Sequence, residues 1–133
     1  MERRNLYPHA IPFSHIVLDG DYAHVSGQLA QDPVTRQIVP GSAYEETTRC
    51  MEQLVAILAS AQLSLDNVTR VNLYITDLAD FAEINKAYGL FFSNGKYPAR
   101  TCVAVSALIG GTRIEIEATA RLPVGHASKS KME

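Results

Sequence analysis

From Arg113 to Leu122 the chain alternates without a break. Ile114, Ile116, Ala118, Ala120 and Leu122 fall on one side, and Arg113, Glu115, Glu117, Thr119 and Arg121 on the other. A side-chain period of two belongs to extended backbone, so this stretch dictates a strand with one face in a core and one face turned away. Two upstream segments show the other period. Met51, Leu54, Val55, Leu58 and Ala61 recur at helical spacing behind Ser42 and Glu45, which form a capping box. Phe81, Ile84, Tyr88 and Phe91 make a second stripe behind Asp77 or Asp80, and with Phe92 they are read as core.

The remaining elements are short strands. Residues 15–18 and 22–26 flank Asp19-Gly20-Asp21 and read as a hairpin. Residues 31–41 form a loop marked by Pro33, Pro40 and Gly41, and Val68–Ile75 is a strand. Strands at 101–108 and 112–122 flank Gly110-Gly111, which is expected to join them as a hairpin turn. The order is ββαβαββ, an α+β class with a mostly antiparallel sheet and two helices on one face. The strand before the last is apolar on both sides, at Cys102 and Ala104 and at Val103 and Val105. Helices on one face leave the other face to be buried against a second subunit.

A length of 133 residues fits one domain, placed at 11–123, with residues 1–10 and 124–133 read as flexible ends. Twelve Lys+Arg against fourteen Asp+Glu give a net charge of −2 and no general field for nucleic acid or anionic lipid. No apolar run is long enough to span a bilayer. Arg3-Arg4 leads to Pro8 and Pro12 and not to an apolar core, so it is not read as an export signal. Cys50 and Cys102 have no C-x-x-C spacing and read as free thiols in a cytoplasmic protein. His9, His15, His24 and His126 show no metal-ligand spacing.

Chemistry concentrates at two places. Pro98 stiffens the entry to a strand that carries Arg100 and Cys102 on one side. Arginine is the side chain best shaped to clamp a carboxylate with two parallel hydrogen bonds. Alone, Arg100 reads as a surface or ion-pair residue. Glu115 likewise reads as a solvated strand residue, and Glu117 as an ion-pair partner.

Four segments change that balance. Ser26-Gly27-Gln28, Asp80-Phe81-Ala82 with Asn85 and Tyr88, Pro98-Ala99-Arg100-Thr101-Cys102 and Ile114-Glu115-Ile116-Glu117-Ala118 resemble the RidA/YjgF family in order and spacing. That family is also labelled endoribonuclease L-PSP or translation-inhibitor-like, and the resemblance covers residues 10 to 122. It implies a chorismate-mutase-like fold and a homotrimer whose sheets form a central barrel, with pockets between subunits. It also implies cofactor-independent hydrolysis of 2-iminopropanoate and 2-iminobutanoate to 2-keto acids and ammonia. Arg100 matches the arginine that holds the substrate carboxylate, and Glu115 the glutamate that orients the attacking water. Cys102, Ser26 and Asn85 match pocket residues. Phe13 stands where archetypal members carry a tyrosine, and the loop before Pro98 is about two residues shorter.

Those residue types suit an imino acid, which needs an anion clamp and a placed water. No His lies at short spacing from Cys102, so a pocket thiol is the reading preferred to a nucleophile. Two other functions remain in view. One is a non-catalytic, metabolite-binding or chaperone-like trimer. The other is an endoribonuclease, against which stand the lack of a basic patch interleaved with aromatics and of a paired-His signature.

Overall fold

The computed structural model describes residues 1–93 and 95–123. Eight principal elements follow in order: β1 (Glu2–Arg4), β2 (Ile16–Asp19), β3 (Tyr22–Gln28), α1 (Ala43–Ser60), β4 (Val68–Ile75), α2 (Phe81–Gly89), β5 (Ala99–Ala104) and β6 (Ile114–Arg121). The six strands form one sheet in the order β1-β2-β3-β6-β4-β5. Every pairing is antiparallel except β4 with β5, which is parallel. A parallel pair needs a crossover, and α2 supplies it.

The strand with strict alternation is β6, in the middle of the sheet. Ile114, Ile116, Ala118, Ala120 and Leu122 are buried, while Glu115, Glu117 and Thr119 are half-buried on the opposite face. Both helices pack on the buried face. Helix α1 begins at the expected capping box: Ser42 Oγ accepts from Glu45 N at 3.1 Å, and Glu45 Oε1 accepts from Ser42 N at 3.3 Å. Its Cys50, Met51, Leu54, Ile57 and Leu58 are fully enclosed. Val55, expected in that stripe, turns to solvent, and Ile57 takes the buried position. In α2, Ile84, Ala87 and Tyr88 are buried, but Phe81 is exposed and belongs to a different environment from the expected core.

Three further expectations are corrected. First, Gly110-Gly111 is not a hairpin turn. Strand β4 lies between β5 and β6, so the chain must travel across the end of the sheet, and Ile109–Gly111 is a 3-10 turn on that path. Gly110 has φ 74°, and a Cβ there would meet Ile38 Cγ2 at 2.9 Å. Second, the N-terminal segment is not free. Residues 2–4 pair with 16–18, Arg4 Nη1 donates to Ser60 O at 3.1 Å, and Leu6 packs against the core. The extra strand makes the order βββαβαββ. Third, Glu117 has neutral partners: its Oε1 accepts from Asn72 Nδ2 at 3.1 Å and from the Tyr74 hydroxyl. The expected 124–133 tail, with His126, lies outside the described residues.

The face of the sheet away from the helices stays open in a single chain. Thr101 and Val103 on the edge strand β5 are exposed there. Among the described residues no helix is long and apolar enough to cross a membrane. Cys50 and Cys102 are free thiols, the first buried and the second half-buried.

Candidate functional site

The residues singled out from sequence fall into two groups on opposite faces of the sheet. Arg100 and Cys102 are paired with Val71 and Leu73 of β4, whose side chains are buried under the helices. Partners in register share a face, so Arg100 and Cys102 point to the helix side. Glu115 is paired with Tyr74, on the other side of the same strand. Ser26 shares Glu115's face, because its neighbours Ala23 and Val25 are the buried members of β3.

The Arg100 group is compact. Pro98 fixes the approach to β5, and α2 lies above it. Arg100 Nη2 donates to Asn85 Oδ1 at 2.8 Å, and the guanidinium sits 5.0 Å from the Tyr88 ring centroid and 5.6 Å from that of Phe81. Among the described residues Arg100 makes no ion pair with a carboxylate. Asn85, Tyr88, Gly89, Tyr97, Pro98 and Arg100 line a cleft of about 270 Å3. The guanidinium is thus oriented by an amide and by ring faces, with N–H donors left for an anion. Burial pushes the Tyr88 phenol up to about 12, and its hydroxyl has no hydrogen-bond partner among the described residues. The Cys102 thiol is also raised, by burial, with Arg100 opposing the shift. A thiol held protonated is a poor nucleophile.

The Glu115 group is built around a break in the ladder. Between Val25 and Gln28 the register of β3 against β6 shifts, and Ser26-Gly27 occupy the irregularity. Such bulges re-aim side chains. Ser26 Oγ donates to Ser14 O at 2.6 Å, and Ser26 N donates to His15 O at 3.0 Å. Gly27 is there because Glu115 lies against it. A Cβ on Gly27 would come 2.8 Å from Glu115 Cδ and closer still to Oε2. Burial raises the Glu115 carboxyl above the ordinary carboxylate range, and Glu117 raises it further.

Phe13, Ser26, Gly27 and Glu115 border a second, larger cleft of about 500 Å3, and Cys102 borders neither cleft. Several residues here escaped the sequence reading. Residues 5–15 fold back so that His9, Phe13, His15 and Tyr7 meet. His9 and His15 ring centroids are 4.8 Å apart although their spacing gave no pair signature. The two are tied down: His15 Nδ1 accepts from Leu6 N at 2.8 Å, and His9 Nε2 faces Asn5 Oδ1 at 3.1 Å. Burial lowers His15, with His9 and Arg36 adding to the effect, which disfavours its charged form. Among the described residues no cluster of three His, Cys, Asp or Glu could hold a metal ion.

The fold is thus an α+β sheet with helices on one face, with an oriented guanidinium on that face and a raised carboxyl on the other. Residues 5–122 match the family model described as Endoribonuclease L-PSP. The chain is 41% identical to a RutC family protein of Sinorhizobium fredii, over 84% of this chain and 87% of that one. It is 39% identical to the 2-iminobutanoate/2-iminopropanoate deaminase of Rattus norvegicus, over 81% and 78% of the two chains. Its fold is similar to that of E. coli TdcF with bound serine, with a TM-score of 0.80 and 33% identity over 91% and 94%. The chain belongs to the RidA/YjgF family, the family of that Endoribonuclease L-PSP model.

Proposed function

We propose that this protein hydrolyses reactive 2-imino acids to 2-keto acids and ammonia, at sites shared between the subunits of a homotrimer. One observation carries the reading. A guanidinium with no ion-pair partner among the described residues and a carboxyl held above its ordinary range stand on opposite faces of one sheet. Within one chain the sheet lies between them. A second copy whose edge strand β5 packs against the open face would bring its Arg100 to the first chain's Glu115, and would cover Thr101 and Val103.

In such a site Arg100 pairs both carboxylate oxygens of the substrate, while Asn85 and Tyr88 hold its plane. Ser26 and Phe13 border the imine end, and Cys102 sits beside the clamp as a spectator thiol. Water adds to the imine carbon as Glu115 takes one of its protons and passes it to the imine nitrogen, giving the neutral carbinolamine. Glu115 then takes the hydroxyl proton and delivers it to the amino nitrogen, the C–N bond breaks, and ammonia leaves as the C=O bond forms. Water is the only co-reactant. The raised carboxyl is a stronger base than a solvated one, which favours the first transfer.

Binding without turnover is the second reading, favoured by Phe13, whose ring offers no hydroxyl to the reacting centre. The ribonuclease label is not favoured, because His15 Nδ1 is occupied by the Leu6 N–H and the charged form of its ring is disfavoured. Two free thiols fit a cytoplasmic setting. The test generates 2-aminoacrylate or 2-aminocrotonate in situ from serine or threonine with a dehydratase. Keto-acid formation faster than the spontaneous rate supports the enzyme; an unchanged rate contradicts it.

A further inference from the structure

We propose that the cleft beside Glu115 receives an aromatic side chain, so that the preferred substrates are aryl-bearing 2-imino acids and not three- or four-carbon ones. For the reaction this rests on the deaminase reading; for binding it stands on the cleft alone.

The size is the first observation. A cleft of about 500 Å3 falls within the ~300–1,000 Å3 typical of sites for much larger ligands than pyruvate. Its surface is the second. Large apolar side chains exposed singly mean little, but Ile11 (65% exposed), Ile109 (73%) and Phe13 (41%) converge on this one cleft. They come from two separate segments: Ile11 and Phe13 from the N-terminal arm, and Ile109 from the 3-10 turn before β6. Rings complete the wall. His9 stacks on Phe13 at 4.5 Å and 27°, Phe13 meets His15 edge-on at 5.4 Å, and Tyr7 lies 4.6 Å from His15. One more ring would extend this array in the offset and edge-on geometries that aromatic groups favour.

The wall is held in place before any ligand arrives. Asn5 Oδ1 accepts from His15 N at 3.0 Å, and Gln31 Nε2 donates to the Tyr7 hydroxyl at 2.7 Å. Gln53 Nε2 in turn donates to Gln31 Oε1 at 2.9 Å. Arg36, at φ 66°, lays its guanidinium 4.3 Å over the Tyr7 ring. That contact turns its charge into part of the aromatic stack. The cleft is bordered by one carboxyl, Glu115, which would repel an acidic side chain, and by one guanidinium, Arg36, which would repel a basic one, so a flat, uncharged ring is favoured.

The experiment has two arms on the assembled protein. Calorimetry compares phenylpyruvate, 2-oxobutyrate and 2-oxoglutarate. Turnover compares imines released by an L-amino-acid oxidase from phenylalanine and from 2-aminobutyrate. Phenylpyruvate should bind at least roughly tenfold more tightly than 2-oxobutyrate, and the phenylalanine-derived imine should lead in kcat/KM by a similar factor. Ile109→Asp, at an exposed site, and Phe13→Ala should each lower the phenylpyruvate-to-oxobutyrate affinity ratio by about that factor. Equal or tighter binding of 2-oxobutyrate or 2-oxoglutarate overturns the proposal, as does a ratio indifferent to both substitutions. Turnover that favours the 2-aminobutyrate-derived imine overturns it while leaving the deaminase reading standing. The expected affinities with no turnover of any imine sink the deaminase reading and leave the aromatic pocket. Binding of none of the three acids contradicts both.

Discussion

Arg100 and Glu115 are ordinary residues made unusual by their neighbours. Asn85, Tyr88 and Phe81 hold the guanidinium without neutralising it. Arg100→Ala should therefore lower kcat/KM for imine hydrolysis by at least roughly a hundredfold, and Arg100→Lys should lose much of that, since a point charge cannot form the fork. Initial rates on dehydratase-generated imine check this. Glu115 makes a stability prediction with a definite sign. Its folded-state pKa is raised, so the native state disfavours its ionised form. Its stabilising contribution is full below the unfolded value and is lost as pH rises through the folded one. Glu115→Gln should raise Tm near neutral pH, with the gain vanishing toward about pH 4, while abolishing turnover. A gain that persists in acid would contradict the assignment. Gly27→Ala should displace the Glu115 carboxyl and cost about tenfold or more in kcat with KM little changed. Cys102→Ala should keep substantial activity, because its thiol stays protonated.

At the scale of elements, the capping box is the clearest local signal. Ser42→Ala should destabilise the fold by about 1 kcal/mol, read as a lower urea midpoint at unchanged slope. Local signals of this kind were legible: both helices, the β2–β3 hairpin, and the strict alternation that put Glu115 opposite the core. What failed was long-range pairing. A glycine pair between two strands fits a tight turn, and nothing local reveals that β4 inserts between β5 and β6. Strand β1 is polar and only three residues long, so it has no period to read. Its place is fixed by pairing with β2 and by Arg4 reaching Ser60. The cluster of Tyr7, His9, Phe13 and His15 was missed for the same reason. The Asn5 contacts that fold the arm back depend on tertiary placement, which spacing does not encode.

At the scale of the whole molecule, Arg100 and Glu115 lie on opposite faces of one chain's sheet, and the proposed site needs a second copy to join them. Sedimentation equilibrium should give three times the mass of one chain, and a stable monomer at micromolar concentration would contradict the shared site. The most direct measurement mixes two variants, Arg100→Ala and Glu115→Ala, unfolded together and refolded, then assayed for imine hydrolysis. Each variant alone should be inactive. With random assembly of equal amounts, about one quarter of the interfaces pair an intact Arg100 with an intact Glu115, and about that fraction of wild-type activity should return. A mixture as inactive as its parents would mean that clamp and carboxylate do not meet between subunits, and the account of the site would fail.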